Sequence, residues 1–456
     1  MNRNEEYYAL LGELSAAEAP SASLKKAVRR NRTNKFIVRP LAAVAAVLAA
    51  FTVIVNASTT AAFAMSKVPG LKELAKAVTF SRSLKDAVEH EYAQLVDLSG
   101  SENGISASVE YLIADKSRVT VFYRLKSSEY SDLGADCRFF TKDGKASGSS
   151  YGPNDVTHLS SEDRAVMPEN GELRSVYVEY FEGAVPSELT MDLILWDHSA
   201  GSYLGEQNRL AKLSFELSFD PAYYSSGKHY ELGSAVRLGE RSITVKSADV
   251  YPSQTVLNVE GAGSNDAWLV GLDFELKTSD GRVFGRSSSG TIAYSSGASN
   301  PEITSYTADS MYFHDVSSVT LSVRSARWLE KGMEKLRIDL ESASCGPLPQ
   351  GCELAGCTLQ KNQDGSSTWI LTFLERDELM QLLMPSAADA SGNECCKSLS
   401  WTPKQSRFND KTAPEGFSYT SYYLTDCTEN VIYMDMCTTQ VWNAGDAPAE
   451  VLLKLN

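Results

Sequence analysis

The stretch ISASVEYLIADKSRVTVFYRL, residues 105–125, decides the fold class. Apolar residues take every second position from Ile105, a polar turn follows at 114–117, and the alternation resumes at Val119. A period of two buries one face of a strand and leaves the other in water. The stretch therefore predicts two strands that pair antiparallel across the turn.

The same alternation recurs further along the chain. It is found at Val176–Tyr180, Leu189–Trp196, Leu213–Phe219, Ile243–Val259 and Val319–Val323. Strands of this kind bury one face each, as in antiparallel sandwiches. Because Ile243–Val259 repeats the strand–turn–strand layout, we predict a mainly β fold with tandem antiparallel, immunoglobulin-like β-sandwiches and a few helices.

Within this β-rich part, helical spacing is confined to short stretches. Residues 68–95 carry apolar stripes at intervals of three and four, and Ser83 is the predicted cap of the second helix there. Glu375–Met384 predicts a further short helix, which Pro385 stops.

An uncharged, largely apolar stretch lies between Arg39 and Lys67, and residues 25–39 before it hold seven Lys and Arg and no acidic residue. An apolar helix with cations on one side inserts with its cationic end in the cytoplasm. This pattern predicts one transmembrane helix at residues 39–62 in the cell membrane, with the N-terminus cytoplasmic and the C-terminal region extracellular. The motif Ala62-Phe63-Ala64 leaves a cleaved signal peptide open as the alternative.

The predicted cytoplasmic head, residues 1–38, has one apolar stripe at the helical spacing i, i+3, i+4, i+7. The stripe consists of Tyr7, Leu10, Leu11 and Leu14. So short a segment cannot bury a useful core by itself. We therefore predict that the stripe binds a cytoplasmic partner.

Charge differs between the two ends of the chain. Residues 1–39 hold eight Lys and Arg and four Glu, a net charge of +4, which leaves −19 for residues 40–456 of the total of −15. Nucleic acids and anionic surfaces are bound through Lys and Arg. The acidic larger part argues against nucleic acid as its partner, and solubility alone accounts for the charge.

Cysteine usage fits an oxidising compartment. Cys137 stands alone, and seven others are predicted disulfide candidates: Cys345, Cys352, Cys357, Cys395, Cys396, Cys427 and Cys437. The sequence leaves their pairing open. It contains no C-x-x-C motif and no histidine near the cluster, so we expect neither a metal site nor a cofactor.

Two short matches to catalytic motifs are the basis of one functional hypothesis, an extracytoplasmic hydrolase. Residues 148–152 match G-x-S-x-G, and residues 225–228 match S-x-x-K. Both serines need a neighbouring helix to act as nucleophiles. Because their flanks are typical of loops, we predict no catalytic residues and no enzyme activity.

These patterns predict five segments. They are a helical head at 1–38, the transmembrane helix at 39–62, a helix-led first β domain at 66–220, a second immunoglobulin-like β domain at 221–343, and a Cys-rich α+β domain at 344–456.

Motifs spread over residues 56–125 resemble the domain-of-unknown-function 4179 family. They are Asn56-Ala57-Ser58, Ala61–Ala64, Val68–Leu71, Leu84–Val88, Tyr92, Asn103–Ile105, Ile113–Asp115 and Val121–Tyr123. The resemblance implies a membrane-anchored protein of Gram-positive bacteria. Residues 238–257 look like the immunoglobulin-like domain that often follows.

The resemblance also implies a function. Many members look like anti-sigma factors, which hold an extracytoplasmic-function sigma factor through a short cytoplasmic head. We therefore predict a single-pass membrane regulatory or sensor protein whose outer β-rich region senses an unknown ligand. The alternative is a cell-surface binding or envelope scaffold protein with no cytoplasmic regulatory role.

Overall fold

Antiparallel strands form most of the structure, a computed structural model of the chain. It describes residues 74, 77–130, 132–153, 171–181, 185–198, 208–220, 227–288, 290–295 and 300–455. The chain divides into two units, Met1–Glu73 and Leu74–Asn456. Every described residue belongs to the second unit, which contains the helix α1 (Arg82–Glu89) and the three β regions defined below.

The first β region spans residues 94–218. Its strands are β1 (Gln94–Glu102), β2 (Ile105–Ala114), β3 (Arg118–Ser127), β4 (Leu133–Phe140), β5 (Ser150–Pro153), β6 (Glu172–Glu179), β7 (Glu188–Asp197) and β8 (Arg209–Ser218). They form two sheets, in the orders β1-β2-β3-β6-β5 and β4-β7-β8, whose apolar faces share one core. The antiparallel pair predicted at 105–125 is confirmed, because β2 pairs with β3.

The second β region begins at residue 228 and receives the C-terminus of the chain. Its strands are β9 (Lys228–Leu238), β10 (Arg241–Val250), β11 (Thr255–Gly261), β12 (Ala267–Lys277), β13 (Val283–Phe284), β14 (Ala293–Tyr294), β15 (Ser305–Ala308) and β16 (Ser318–Glu330). One sheet has the order β14-β15-β11-β10-β9. The other joins β13, β12 and β16 to two late strands numbered below, and Trp328 is fully buried in the core.

The third β region spans residues 335–435. Its elements are β17 (Lys335–Asp339), β18 (Ser344–Cys345), β19 (Glu353–Lys361), β20 (Ser367–Arg376), a 3₁₀ turn (Asp377–Leu379), β21 (Cys396–Gln405), β22 (Arg407–Phe408), β23 (Lys411–Thr412), β24 (Phe417–Cys427) and β25 (Val431–Asp435). The sheets β19-β20-β24-β21 and β18-β17-β25 contribute to one core, and β22 pairs with β23. The chain then returns to the second region, where β26 (Gln440–Asn443) and β27 (Ala449–Lys454) both pair with β16.

The predicted fold class needs a correction in its helical part. Its β character is confirmed, but where the sequence predicts a few helices, α1 is the one α-helix that lies wholly within the described residues. None of the described helices is long and apolar enough to cross a membrane. The predicted helical head at 1–38 and the predicted span at 39–62 both lie outside the described residues.

Two of the helices predicted within the β-rich part differ from the structure. Ser81, and not Ser83, caps α1, because the Ser81 hydroxyl accepts the backbone N–H of Leu84 at 3.4 Å. The predicted helix at 375–384 is reduced to the 3₁₀ turn. Arg376 is still extended before this turn, and Met380 has a φ of 62° after it, so the backbone leaves the helical region at both ends.

Candidate functional site

The turns of two hairpins, one from each of the first two β regions, meet at a buried polar contact. The backbone N–H of Ser253, between β10 and β11, donates to Asp115 Oδ2 at 2.8 Å. Asp115 Oδ1 accepts the backbone N–H of Ser117 at 2.9 Å within its own turn. Asp115 therefore shapes the β2–β3 turn and joins it to the second region with the same carboxylate.

A charged pair extends this contact, and both of its side chains are almost fully buried. Arg118 is 0% exposed and Glu179 is 1% exposed. Arg118 Nε donates to Glu179 Oε1 at 2.9 Å, and Arg118 Nη2 donates to Gln254 Oε1 of the second region. Glu179 Oε2 accepts the backbone N–H of Thr291 at 3.0 Å. A buried ion pair is tolerated when such additional hydrogen bonds satisfy it.

Gly290 lies against this pair and leaves no room for a side chain. Its φ is +74°, which favours glycine. A Cβ at this position would lie 2.3 Å from Arg118 Nη2 and 2.6 Å from Glu179 Oε1. The loop before β14 therefore closes over the ion pair only because residue 290 is glycine. We call Asp115, Arg118, Glu179 and Gln254 the interface network.

The helix α1 precedes the first β region in the chain but packs on the second. Its Ser83 hydroxyl accepts the backbone N–H of Ser310 at 2.8 Å. Its Asp86 Oδ2 lies 3.0 Å from His314 Nε2. Arg82 donates to the Val283 carbonyl, and its guanidinium lies 4.5 Å from the centre of the Phe284 ring. We call these contacts the helix clamp.

A carboxyl group of the second region lies within the helix clamp. Burial raises the pKa of Asp309 to about 6, with a smaller rise from Asp86, while Arg82 and a hydrogen bond from Ser83 act in the opposite direction. Asp309 Oδ1 is buried and has no hydrogen-bond partner. A carboxylate with an unsatisfied buried oxygen is costly to keep charged. The helix clamp thus contains a group that titrates just below neutral pH.

Residues 32–127 match the family described as Domain of unknown function (DUF4179). It is the family that the sequence motifs resemble. The matched range, here called the DUF4179 region, includes α1 and β1 to β3. It therefore holds Asp115 and Arg118 of the interface network and the α1 side of the helix clamp.

Solved structures offer weaker similarity. One is titled "The crystal structure of the conserved domain protein from Bacillus anthracis". It is 12% identical to this chain and has a TM-score of 0.37, and the match covers 56% of this chain and 84% of that chain. A marsupial T cell receptor is also 12% identical, with a TM-score of 0.14, over 75% of this chain and 95% of that chain. Both scores are too low to support an argument about fold or function. No curated protein matches the chain.

The predicted partner-binding stripe lies outside the described residues. Of the predicted disulfide candidates, Cys396 and Cys427 are joined to each other. The remaining described cysteines are free: Cys137, Cys345, Cys352, Cys357, Cys395 and Cys437. In the described part of the chain, no group of three or more His, Cys, Asp and Glu side chains is placed to hold a metal ion.

The serine of the G-x-S-x-G match is held in a strand. Ser150 begins β5, which pairs with β6, and its hydroxyl accepts a hydrogen bond from Thr291 Oγ1 at 3.2 Å. A nucleophile elbow needs the sharp turn between a strand and a helix. In this structure Ser150 therefore contributes to the contact between the two β regions.

Sequence reasoning missed the interface network and the helix clamp. Arg118 begins β3 and Glu179 ends β6, and both are charged residues next to strictly apolar positions. That placement is the one signal that could have pointed to a buried pair. Nothing in the local sequence of Gln254 or Asp309 indicates a partner more than 100 residues away.

Proposed function

We propose that this chain is a regulatory protein whose β-rich part receives a signal outside the cytoplasm and passes it to residues 1–73. The observation that carries this proposal is the helix clamp. Along the chain α1 begins at Arg82, close after residue 73, yet its side chains Ser83 and Asp86 are held by the second β region. A change in the second region therefore reaches the helix directly.

The interface network supports the same proposal. Because Arg118, Glu179 and Gln254 are buried and hydrogen-bonded together, the first two β regions resist motion relative to each other. A displacement imposed on one region is then transmitted to the other. Such stiffness suits a signal-receiving part and is not needed by a protein that only tethers separate modules.

A compartment outside the cytoplasm is part of the proposal. The disulfide between Cys396 and Cys427 supports it, because disulfides persist in oxidising surroundings and are rare in the cytosol. The proposed partner is a cytoplasmic sigma factor, which the family resemblance implies. Its predicted binding residues are Tyr7, Leu10, Leu11 and Leu14.

The partner is tested by affinity purification of the full-length chain from its native host, read by mass spectrometry. We expect a sigma factor to co-purify with the wild type and to be lost with Leu11→Asp. Ala9→Asp is the matched control, since the helical spacing predicts that position 9 is opposite the apolar stripe. If no sigma factor is recovered with the wild type, the regulatory proposal is wrong.

The role of the helix clamp is tested in the same preparation. The double variant Ser83→Ala/Asp86→Asn removes two of its contacts and is expected to change the recovered sigma factor several-fold. Lys85→Ala is the control, because the Lys85 side chain is 54% exposed and its ion pair with Glu89 stays within α1. Equal recovery from the double variant and Lys85→Ala would show that α1 carries no signal.

A second candidate function is a surface binding or scaffold protein without a regulatory role. It is favoured by two large apolar side chains on the third β region, Trp401 at 47% and Leu359 at 48% exposed. They lie on the two edge strands of one sheet, β21 and β19. A scaffold keeps its function when residues 1–24 are deleted, whereas a regulator loses its function. This deletion therefore discriminates the two candidates.

A further inference from the structure

Three cysteine residues lie together at one end of the sheet β19-β20-β24-β21. Cys396 begins β21 and Cys427 ends β24, directly opposite in the antiparallel register, and the two are joined by a disulfide. The adjacent Cys395 is free and only 4% exposed. Its sulfur lies 3.9 Å from the sulfur of Cys396. A free thiol is thus in contact with an existing disulfide.

The backbone holds Cys395 in this position from two sides. Its carbonyl accepts the backbone N–H of Thr428 at 2.9 Å and the Thr428 hydroxyl at 3.2 Å. Its N–H donates to the carbonyl of Ala387 at 3.4 Å. Since Thr428 follows Cys427 directly, the thiol of Cys395 and the disulfide are positioned by the same short segment.

We propose that Cys395, Cys396 and Cys427 form a thiol–disulfide exchange site, in which the Cys395 sulfur attacks Cys396 and displaces Cys427. The Cys395 thiol first gives its proton to water. Its sulfur then bonds to Cys396 Sγ, while the bond between Cys396 and Cys427 breaks with its electron pair on Cys427. Cys427 takes a proton from water, and no oxidant or reductant is consumed.

The exchange changes how β21 is attached to its sheet. Among the described strands, β21 is at the edge of its sheet and pairs with β24 alone. Before the exchange a covalent bond also joins the two strands, and after it they are held by noncovalent contacts: the ladder hydrogen bonds and the ion pair between Lys397 and Asp426. The released thiol of Cys427 lies at a partly exposed strand end, where it can form a mixed disulfide with a small-molecule disulfide or with a partner protein's cysteine.

Protonation of the Cys395 thiol controls the rate of the exchange. Burial raises the pKa of the Cys395 thiol, and the carboxylates of Asp389 and Glu429 act in the same direction. Because the thiolate is the nucleophile, the fraction of reactive sulfur rises about tenfold per pH unit below that pKa. The exchange is therefore slow at neutral pH and accelerates in alkaline solution.

The test uses the purified full-length chain without reductant, incubated at pH 7 and pH 8 with excess N-ethylmaleimide. Peptides are mapped by mass spectrometry. We expect chains with maleimide on Cys427 and a disulfide between Cys395 and Cys396, accumulating about tenfold faster at pH 8. Maleimide on Cys395 with the original disulfide intact, as the sole product, would overturn the proposal.

Variants of the cysteines separate the exchange from simple opening of the disulfide. Cys395→Ser is expected to lower the labelling of Cys427 at least tenfold, and Cys395→Ala serves if serine disturbs folding at this buried position. Cys345→Ser is the matched control in the same β region and should label like the wild type. Equal labelling of Cys427 in the wild type and in both Cys395 variants would show that Cys395 takes no part.

Discussion

Replacing Asp309 with asparagine is expected to stabilise the folded protein at neutral pH and to leave it unchanged in acid. The Asp309 carboxyl is buried in the helix clamp, and its Oδ1 has no hydrogen-bond partner. Above its pKa the charge must be kept in this site without full solvation. Asparagine has the same shape without the charge, and its oxygen can still accept the hydrogen bond of Ser83.

The size of the effect follows from the pKa of Asp309, which burial raises from 3.8 to about 6. A pKa that is higher by about two in the folded state lowers the free energy of unfolding by about 3 kcal/mol at neutral pH. Partial contact of the carboxyl with solvent reduces this cost to about 1.5 kcal/mol. Between pH 4 and pH 6 the folded state binds more protons than the unfolded state. The stability of the wild type therefore falls as the pH rises through this range and stays lower above it.

The assay is urea unfolding of the full-length chain at pH 4 and pH 7.5, followed by tryptophan fluorescence. Asp309→Asn should raise the midpoint at pH 7.5 and match the wild type at pH 4. Asp280→Asn is the control, because the hydrogen bond from Arg282 lowers the pKa of Asp280 to about 2 and asparagine removes a favourable charge. An Asp309→Asn midpoint at or below the wild type at pH 7.5 would refute the reasoning.

Three further predictions concern unfolding by urea and hydrogen exchange. Arg118→Met should lower the free energy of unfolding by about 3–5 kcal/mol, because it leaves the buried Glu179 unpaired. Gly290→Ala should cost about 2 kcal/mol more than Gly281→Ala; both glycines have a positive φ, but only a Cβ at 290 meets other atoms. Ser81→Ala should destabilise α1 by about 1 kcal/mol, seen as faster exchange of its backbone amides.

The strands were predictable because their signal is local. In β8 the buried residues are Ala211, Leu213, Phe215 and Leu217, which is the alternation that the sequence shows. The helical segments were less predictable, since both Ser81 and Ser83 have a hydroxyl that can cap a helix. Tertiary contact decided between them: the Ser83 hydroxyl is taken by Ser310 of the second β region, and Ser81 is left as the cap.

The candidate site could not be predicted from the sequence. The carboxylate of Asp115 and the amide of Ser253 are 138 residues apart, and each turn by itself is an ordinary polar loop. The pairing of β27 with β16 is equally remote in sequence. Neither contact alters the local pattern of hydrophobicity, so no signal in the neighbouring residues marks it.

By itself the sequence determined the β character, the main turns and the DUF4179 motifs, because strand periodicity and turn residues act over a few positions. The tertiary structure alone decided that Arg118 is buried against Glu179, that α1 is held by the second β region, and that Cys396 bonds to Cys427 while Cys395 stays free. These features depend on which sheet faces meet and in which register. That choice is made by packing across the whole chain, where long-range burial outweighs local preference.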